Sequence, residues 1–206
     1  MIGIIDYGMG NLYSLSKALE RLGYRYAFVT EAAQLASYDG LILPGVGAFG
    51  DAMHNIRQAG LEQPLREYAA SRRPLLGICL GMQLLFSQSE EYGSHQGLDL
   101  LPGDVIRFSG GYKVPHMGWN QLTLHKDNHP LLQGVSSGDY VYFVHSYHVK
   151  PENPDHLFAV TDYHQDVTAI VGRGSVYGMQ FHPEKSGETG MRLLGNFAQL
   201  CEGVLQ

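Results

Sequence analysis

The segment Pro74-Leu75-Leu76-Gly77-Ile78-Cys79-Leu80-Gly81-Met82-Gln83-Leu84-Leu85-Phe86 reads as an apolar strand that stops at a cysteine between two glycines and restarts as a helix. Few folds accept such a junction. A buried strand feeding a helix directly belongs in an α/β sheet, and the residue at the turn then lies at the strand's carboxyl end, where such sheets bind ligands. Gly77 and Gly81 let the chain turn sharply, so Cys79 is a candidate nucleophile whose thiol meets the amino end of the next helix. The N–H of Leu80 begins that helix without an intrahelical partner and is a candidate oxyanion donor. The bland alternative is a cysteine packed as a small hydrophobe at the end of a core strand.

The flanking sequence fits this frame. Strand-like runs at Ile2–Ile5, Tyr26–Val29, Gly40–Leu43 and Leu75–Ile78 alternate with two helical stripes. The stripes are Leu12, Leu15, Leu19, Leu22 and then Phe49, Ala52, Met53, Ile56. This alternation predicts a parallel sheet covered on both faces. Six further runs, at 105–108, 121–124, 140–144, 158–161, 168–171 and Val176–Met179, predict an antiparallel extension of the same sheet, followed by a helix starting after Ser186 and running to about Glu202. Three loops, at 6–11, 44–47 and around Cys79, are expected to converge on one rim. The first is not a dinucleotide fingerprint, because Tyr13 stands where the third glycine belongs.

A length of 206 residues suits one domain spanning the whole chain. The formal charge is −6 and the 14 basic residues do not cluster, which argues against a nucleic-acid partner. No run approaches a membrane span, so a soluble, cytoplasmic protein is expected. Cys79 and Cys201 form neither a CxxC pair nor a zinc spacing, and no metal or cofactor is expected. Cys201 lies on the stripe Met191, Leu194, Phe197, Ala198 and reads as structural, while His125 and His129 read as surface residues of a turn.

A thiol nucleophile needs a base. In Gly178-Met179-Gln180-Phe181-His182-Pro183-Glu184, His182 falls just past a strand, with Glu184 two residues on, placed to hold the imidazole tautomer. A metal ligand or a solvated loop histidine are the other readings of His182.

Taken together, Gly77, Cys79, Gly81, Gln83, His182 and Glu184 resemble the signature of the class I, or triad-type, glutamine amidotransferases. The resemblance covers the whole chain. It is narrowed by Asp6-Tyr7-Gly8-Met9-Gly10-Asn11, Pro44-Gly45-Val46-Gly47, Pro115-His116-Met117-Gly118-Trp119-Asn120 and the run from Gln180 to Ser186. It implies a three-layer α/β fold and hydrolysis of L-glutamine to glutamate and ammonia, with Cys79 attacking, His182 shuttling protons and Glu184 orienting it. It also implies delivery of the ammonia to a partner (β/α)8-barrel cyclase in a heterodimer. By the same resemblance the Gly45-Val46 peptide is a second oxyanion donor, on a strand the family reorients. Gln83 and Glu91 hold the substrate, and the backbone of His145, Ser146 and Tyr147 receives its α-substituents. Asn11, Trp119 and Lys185 lie near the partner and the ammonia path. Their plainer readings are a helix N-cap, a core aromatic and a solvated lysine. Rival functions are another triad glutaminase, a silent regulatory module of the same fold, or a cysteine hydrolase of protease or esterase type.

Overall fold

The computed structural model describes residues 1–203. Alternating apolar and amphipathic runs produce β1 (Ile2–Ile5), α1 (Leu12–Arg21), β2 (Tyr26–Val29), β3 (Gly40–Leu43), α2 (Phe49–Gln58), α3 (Glu62–Ala70), β4 (Leu75–Ile78) and α4 (Leu80–Leu84). Beyond α4 strands dominate the chain: β5 (Phe86–Ser89), β6 (His95–Gln96), β7 (Leu101–Arg107), β8 (His116–Gln121), β9 (Thr123–Leu124), β10 (Tyr140–His145), β11 (Tyr147–Pro151), β12 (Leu157–Asp162), β13 (Asp166–Arg173) and β14 (Val176–Met179). The helix α5 (Gly187–Glu202) comes last among the described elements.

Eight strands form one sheet in the order β2-β1-β3-β4-β14-β13-β12-β9. The first five are mutually parallel, and β13, β12 and β9 continue antiparallel. Because side chains alternate across a strand, each central strand feeds two cores. Ile2, Ile4, Ile42, Leu76, Ile78, Tyr177 and Met179 pack with α1 and α5 through Leu15, Leu19, Leu194 and Phe197. Ile5, Leu41, Leu43, Leu75 and Val176 pack on the other face with α2, α3 and α4 through Phe49, Met53, Leu65 and Met82. Each such buried aliphatic side chain contributes about 1.5–3 kcal/mol of transfer free energy. The three layers keep the carboxyl ends of β1, β3 and β4 on one rim.

Three of the expected extension strands pair otherwise: β14 runs parallel to β4 and so belongs to the parallel half. The 105–108 run overlaps β7, which joins β5, β6 and β11 in a four-stranded sheet, and 140–144 lies in β10, which pairs with β8 alone. A period-2 pattern says that one face is covered, not what covers it. In β10 the buried residues are Val141, Phe143 and His145, and the strand lies over the His182 turn, whose N–H donates to the Tyr142 carbonyl at 3.2 Å. The helix after Cys79 is also short, five residues, with β5 starting at Phe86.

Candidate active site

Cys79 is pinned beside the carboxyl end of β14 by its N–H, which donates to the Met179 carbonyl at 2.8 Å. Its backbone takes φ 56° and ψ −114°, a conformation that costs a non-glycine residue on the order of 1–3 kcal/mol. The sharpness of the turn is therefore borne by the cysteine itself. Gly77 and Gly81 supply room instead: a Cβ on Gly77 would sit 2.5 Å from the Gly81 carbonyl oxygen, and one on Gly81 would overlap the Leu43 carbonyl oxygen. Backbone contact between α4, β3 and β4 keeps the elbow closed.

His182 follows β14 and enters a one-turn 3-10 helix over Pro183–Lys185. Ser186 Oγ donates to the His182 carbonyl at 2.6 Å and accepts from the Tyr142 N–H at 2.9 Å, which fixes the turn against β10. The imidazole Nδ1 pairs with Glu184 Oε1 at 2.9 Å, and both side chains are almost wholly buried. With Nδ1 engaged, Nε2 is the nitrogen left for Cys79, which lines the same cavity as the ring. Burial works against a charged imidazole here, but the interactions with Cys79 and Glu184 outweigh it and raise the His182 pKa well above its ordinary value. Thiol, imidazole and carboxylate thus stand in the sequence that a nucleophile, its base and an orienting acid would need.

A cavity of about 300 Å³ opens beside the thiol. It is lined by Cys79, Leu80 and His182, by Val46 and Gly47, and by Gln83, Glu91 and residues 144–147. Nine residues singled out from sequence, scattered between positions 46 and 182, therefore meet around one space. Gly45 is not a wall residue. It packs behind, where a Cβ would lie 2.6 Å from the Tyr7 hydroxyl and 3.0 Å from Leu80 Cβ. Glu91 Oε2 accepts the Phe49 N–H at 2.8 Å, closing the first turn of α2. Burial raises the Glu91 pKa and that bond opposes the rise.

Residues 3–200 match the family model described as glutamine amidotransferase class-I. The chain belongs to that family. Its relatives include "Imidazole glycerol phosphate synthase subunit HisH" of Halalkalibacterium halodurans, 55% identical with 98% of this chain and 97% of that one covered. The protein of the same name from Shouchella clausii is 57% identical, with 98% and 100% covered. Among solved structures, a glutamine amidotransferase superimposes with a TM-score of 0.77 at 23% identity, covering 98% of each chain. PurLQS from Thermotoga maritima gives 0.75 at 20% identity, covering 100% of this chain and 98% of that one. These two establish the likeness of fold.

Around the amidotransferase cavity, the three residues expected near a partner take different places. Asn11 caps α1, its side chain accepting from the Ser14 N–H at 3.4 Å, and lines a small crevice with Val46, His182 and Glu184. Trp119 is 56% exposed on β8, so it is not a core aromatic, and its ring faces Tyr142 edge-on at 6.0 Å. Lys185 is exposed on the turn that carries Glu184. His129 corrects the surface reading: it is half-buried, accepts the Leu131 N–H at 3.1 Å and packs against Phe158. Cys201 is buried on α5, as expected.

Sequence reasoning missed Tyr7 and Gln180. The buried Tyr7 hydroxyl donates to the Pro44 carbonyl at 2.8 Å, anchoring the 44–47 segment, and burial keeps the phenol protonated. Gln180, fully buried, donates Nε2 to Cys79 Sγ at 3.9 Å. A signal existed for each. Tyr7 lies two residues past the end of β1 on the rim, and Gln180 stands two residues before His182.

Proposed function

We propose that this chain is the glutaminase subunit of an imidazole glycerol phosphate synthase, one glutamine amidotransferase domain over residues 1–206 that works in the cytoplasm. The observation that carries the reading is the convergence of the Cys79, His182 and Glu184 array with Gln83 and Glu91 on one cavity of about 300 Å³. The similarity to the HisH relatives supplies the pathway. No helix among the described residues is long and apolar enough to cross a membrane, and the formal charge of −6 gives a nucleic acid nothing to hold.

In this reading the Cys79 sulfur attacks the side-chain amide carbon of glutamine. His182 takes the thiol proton and delivers it to the departing nitrogen, releasing ammonia and leaving a thioester. Water, deprotonated by His182, then attacks the thioester, and glutamate leaves as the thiol is restored. Glu184 holds Nδ1 and stabilises the imidazolium at both steps. The Leu80 N–H and the Gly45-Val46 peptide stabilise the oxyanion, which a buried site makes more effective. Glu91 and Gln83 hold the substrate's α-ammonium, and the backbone at 145–147 its carboxylate. The ammonia passes to a cyclase subunit with a (β/α)8 barrel, docked on the face that carries Asn11, Trp119 and Lys185. No cofactor enters any step.

The test is glutamate release from glutamine by the full chain, alone and with the cyclase and its nucleotide ligand. Weak activity alone and strong stimulation in the complex are expected, both lost in Cys79→Ala. That variant should leave cyclase turnover on free ammonia intact. Partner-stimulated hydrolysis persisting in Cys79→Ala would refute the nucleophile, and no hydrolysis in the wild-type complex would refute the function.

A further inference from the structure

A continuous line of polar groups, buried from His116 onward, runs from β8 to the thiol, and its direction is fixed by backbone atoms. The Tyr147 carbonyl can only accept. His145 Nδ1, 2.7 Å from it, must therefore carry the proton. His145 Nε2 is then an acceptor, and its neighbour at 2.9 Å, His116 Nδ1, must be the donor. His116 Nε2 is left to accept from Asn120 Nδ2 at 3.3 Å. Asn120 cannot flip, because the same Nδ2 donates to the Asp162 carbonyl at 2.7 Å and its Oδ1 accepts the Gln121 N–H at 2.8 Å. Fixed backbone groups at both ends leave one tautomer for each ring.

The same carbonyl orients the substrate side of the cavity. Gln83 Nε2 donates to Tyr147 O at 3.2 Å and to Gln180 Oε1 at 3.1 Å, so both of its hydrogens are used. Gln180 Nε2 in turn faces Cys79 Sγ. Gln83 lines the cavity, and the atom it has left to offer there is Oε1, an acceptor.

We infer that His116 is a positioning residue of the ligand site: through His145 it holds the Tyr147 carbonyl, and with it the Gln83 amide, so that the cavity presents an acceptor to an α-ammonium group. This rests on the glutaminase reading above. His116 is 2% exposed and stacks on Tyr163 and Phe143, with centroids 4.1 and 4.6 Å away, so the ring has no freedom to choose another partner. Burial also disfavours the charged form of both rings, in keeping with two neutral imidazoles in series. Removing the hydrogen bonds of His116 while keeping an aromatic ring isolates the role, and His116→Phe does so.

The test compares L-glutamine with glutaramate, the same amide without the α-amino group, on the full chain in complex with the cyclase. In His116→Phe, KM for glutamine should rise about tenfold with kcat changed by less than about threefold, while kcat/KM for glutaramate stays within about twofold of wild type. An equal loss on both substrates, or no loss on glutamine, would overturn the inference. Ring nitrogen NMR of the substrate-free wild-type chain at neutral pH provides a second measurement that needs no variant. Protons on Nδ1 and bare Nε2 in both His116 and His145 are expected, and a proton on either Nε2 would overturn it. A wild-type complex that fails to hydrolyse glutamine would sink the glutaminase reading, and the inference resting on it, whereas the ring spectra judge the His116–His145 link by themselves.

Discussion

Cys79 and Cys201 are both buried free thiols, 8% and 2% exposed, yet they occupy opposite kinds of surroundings. Cys79 sits on a strained backbone with an imidazole and an amide N–H aimed at its sulfur. Cys201 lies inside α5 against the bare backbone of Gly40, where a Cβ would overlap its sulfur. Burial there pushes the thiol up to about 12. Exposure therefore does not separate the thiol proposed to react from the one that only packs. The polar groups facing the sulfur do, because only they stabilise the charge that appears when the thiol attacks.

The strongest way to break that contrast is to delete each thiol. Cys79→Ala is expected to lower glutamine turnover in the complex by at least about a thousandfold, whereas Cys201→Ala should leave it within about twofold. Equal losses measured by glutamate release would mean that the two environments do not matter as argued. Glu184→Gln comes next. It keeps the size of the side chain but removes the charge that steadies the imidazolium, and a loss in kcat of about a hundredfold or more is expected with KM little changed. A kcat within about threefold of wild type would reduce Glu184 to a packing residue.

Legibility from sequence follows the same division. The elbow, His182 and Glu184 were readable because their chemistry is local: Gly77, Gly81 and the two-residue spacing from His182 to Glu184 lie close in sequence. The parallel half of the sheet was readable because β1, β3 and β4 are apolar on both faces. The pairing of β7 and β10 was not, since one-sided strands do not declare which surface covers them. Nor was the strain on Cys79, which the two glycines disguised by suggesting that they carry the turn themselves. Tyr7, Gln180 and His116 act through partners about 30 to 100 residues away, and no local pattern encodes such distances.

Smaller effects sharpen the Cys201 side. Gly40→Ala forces a methyl group onto the Cys201 sulfur, and a loss of about 3 kcal/mol in denaturant unfolding is expected, the upper end for overpacking. Cys201→Ala removes a buried sulfur and should cost about 1–2 kcal/mol. Combining the two should cost less than the sum by about 1 kcal/mol, because the overlap disappears with the sulfur. Strict additivity would show that the strain of Gly40→Ala is relieved elsewhere.

The smallest difference is in how the two regions respond to acid. An unfolded histidine binds its proton near pH 6.5, whereas burial lowers His116 to about 4 and His145 to about 3 in the folded chain. The unfolded state therefore takes up protons first, and stability falls as pH drops from about 6.5 toward 4. For His116 alone the loss between pH 7 and 5.5 is about 1 kcal/mol. Denaturant unfolding of His116→Phe should show a pH slope flatter by that amount, while Cys201→Ala should run parallel to wild type, because no histidine lies in the pocket at its thiol. A slope unchanged in His116→Phe would mean that the ring is already protonated in the folded chain at pH 5.5, contrary to the effect of its burial.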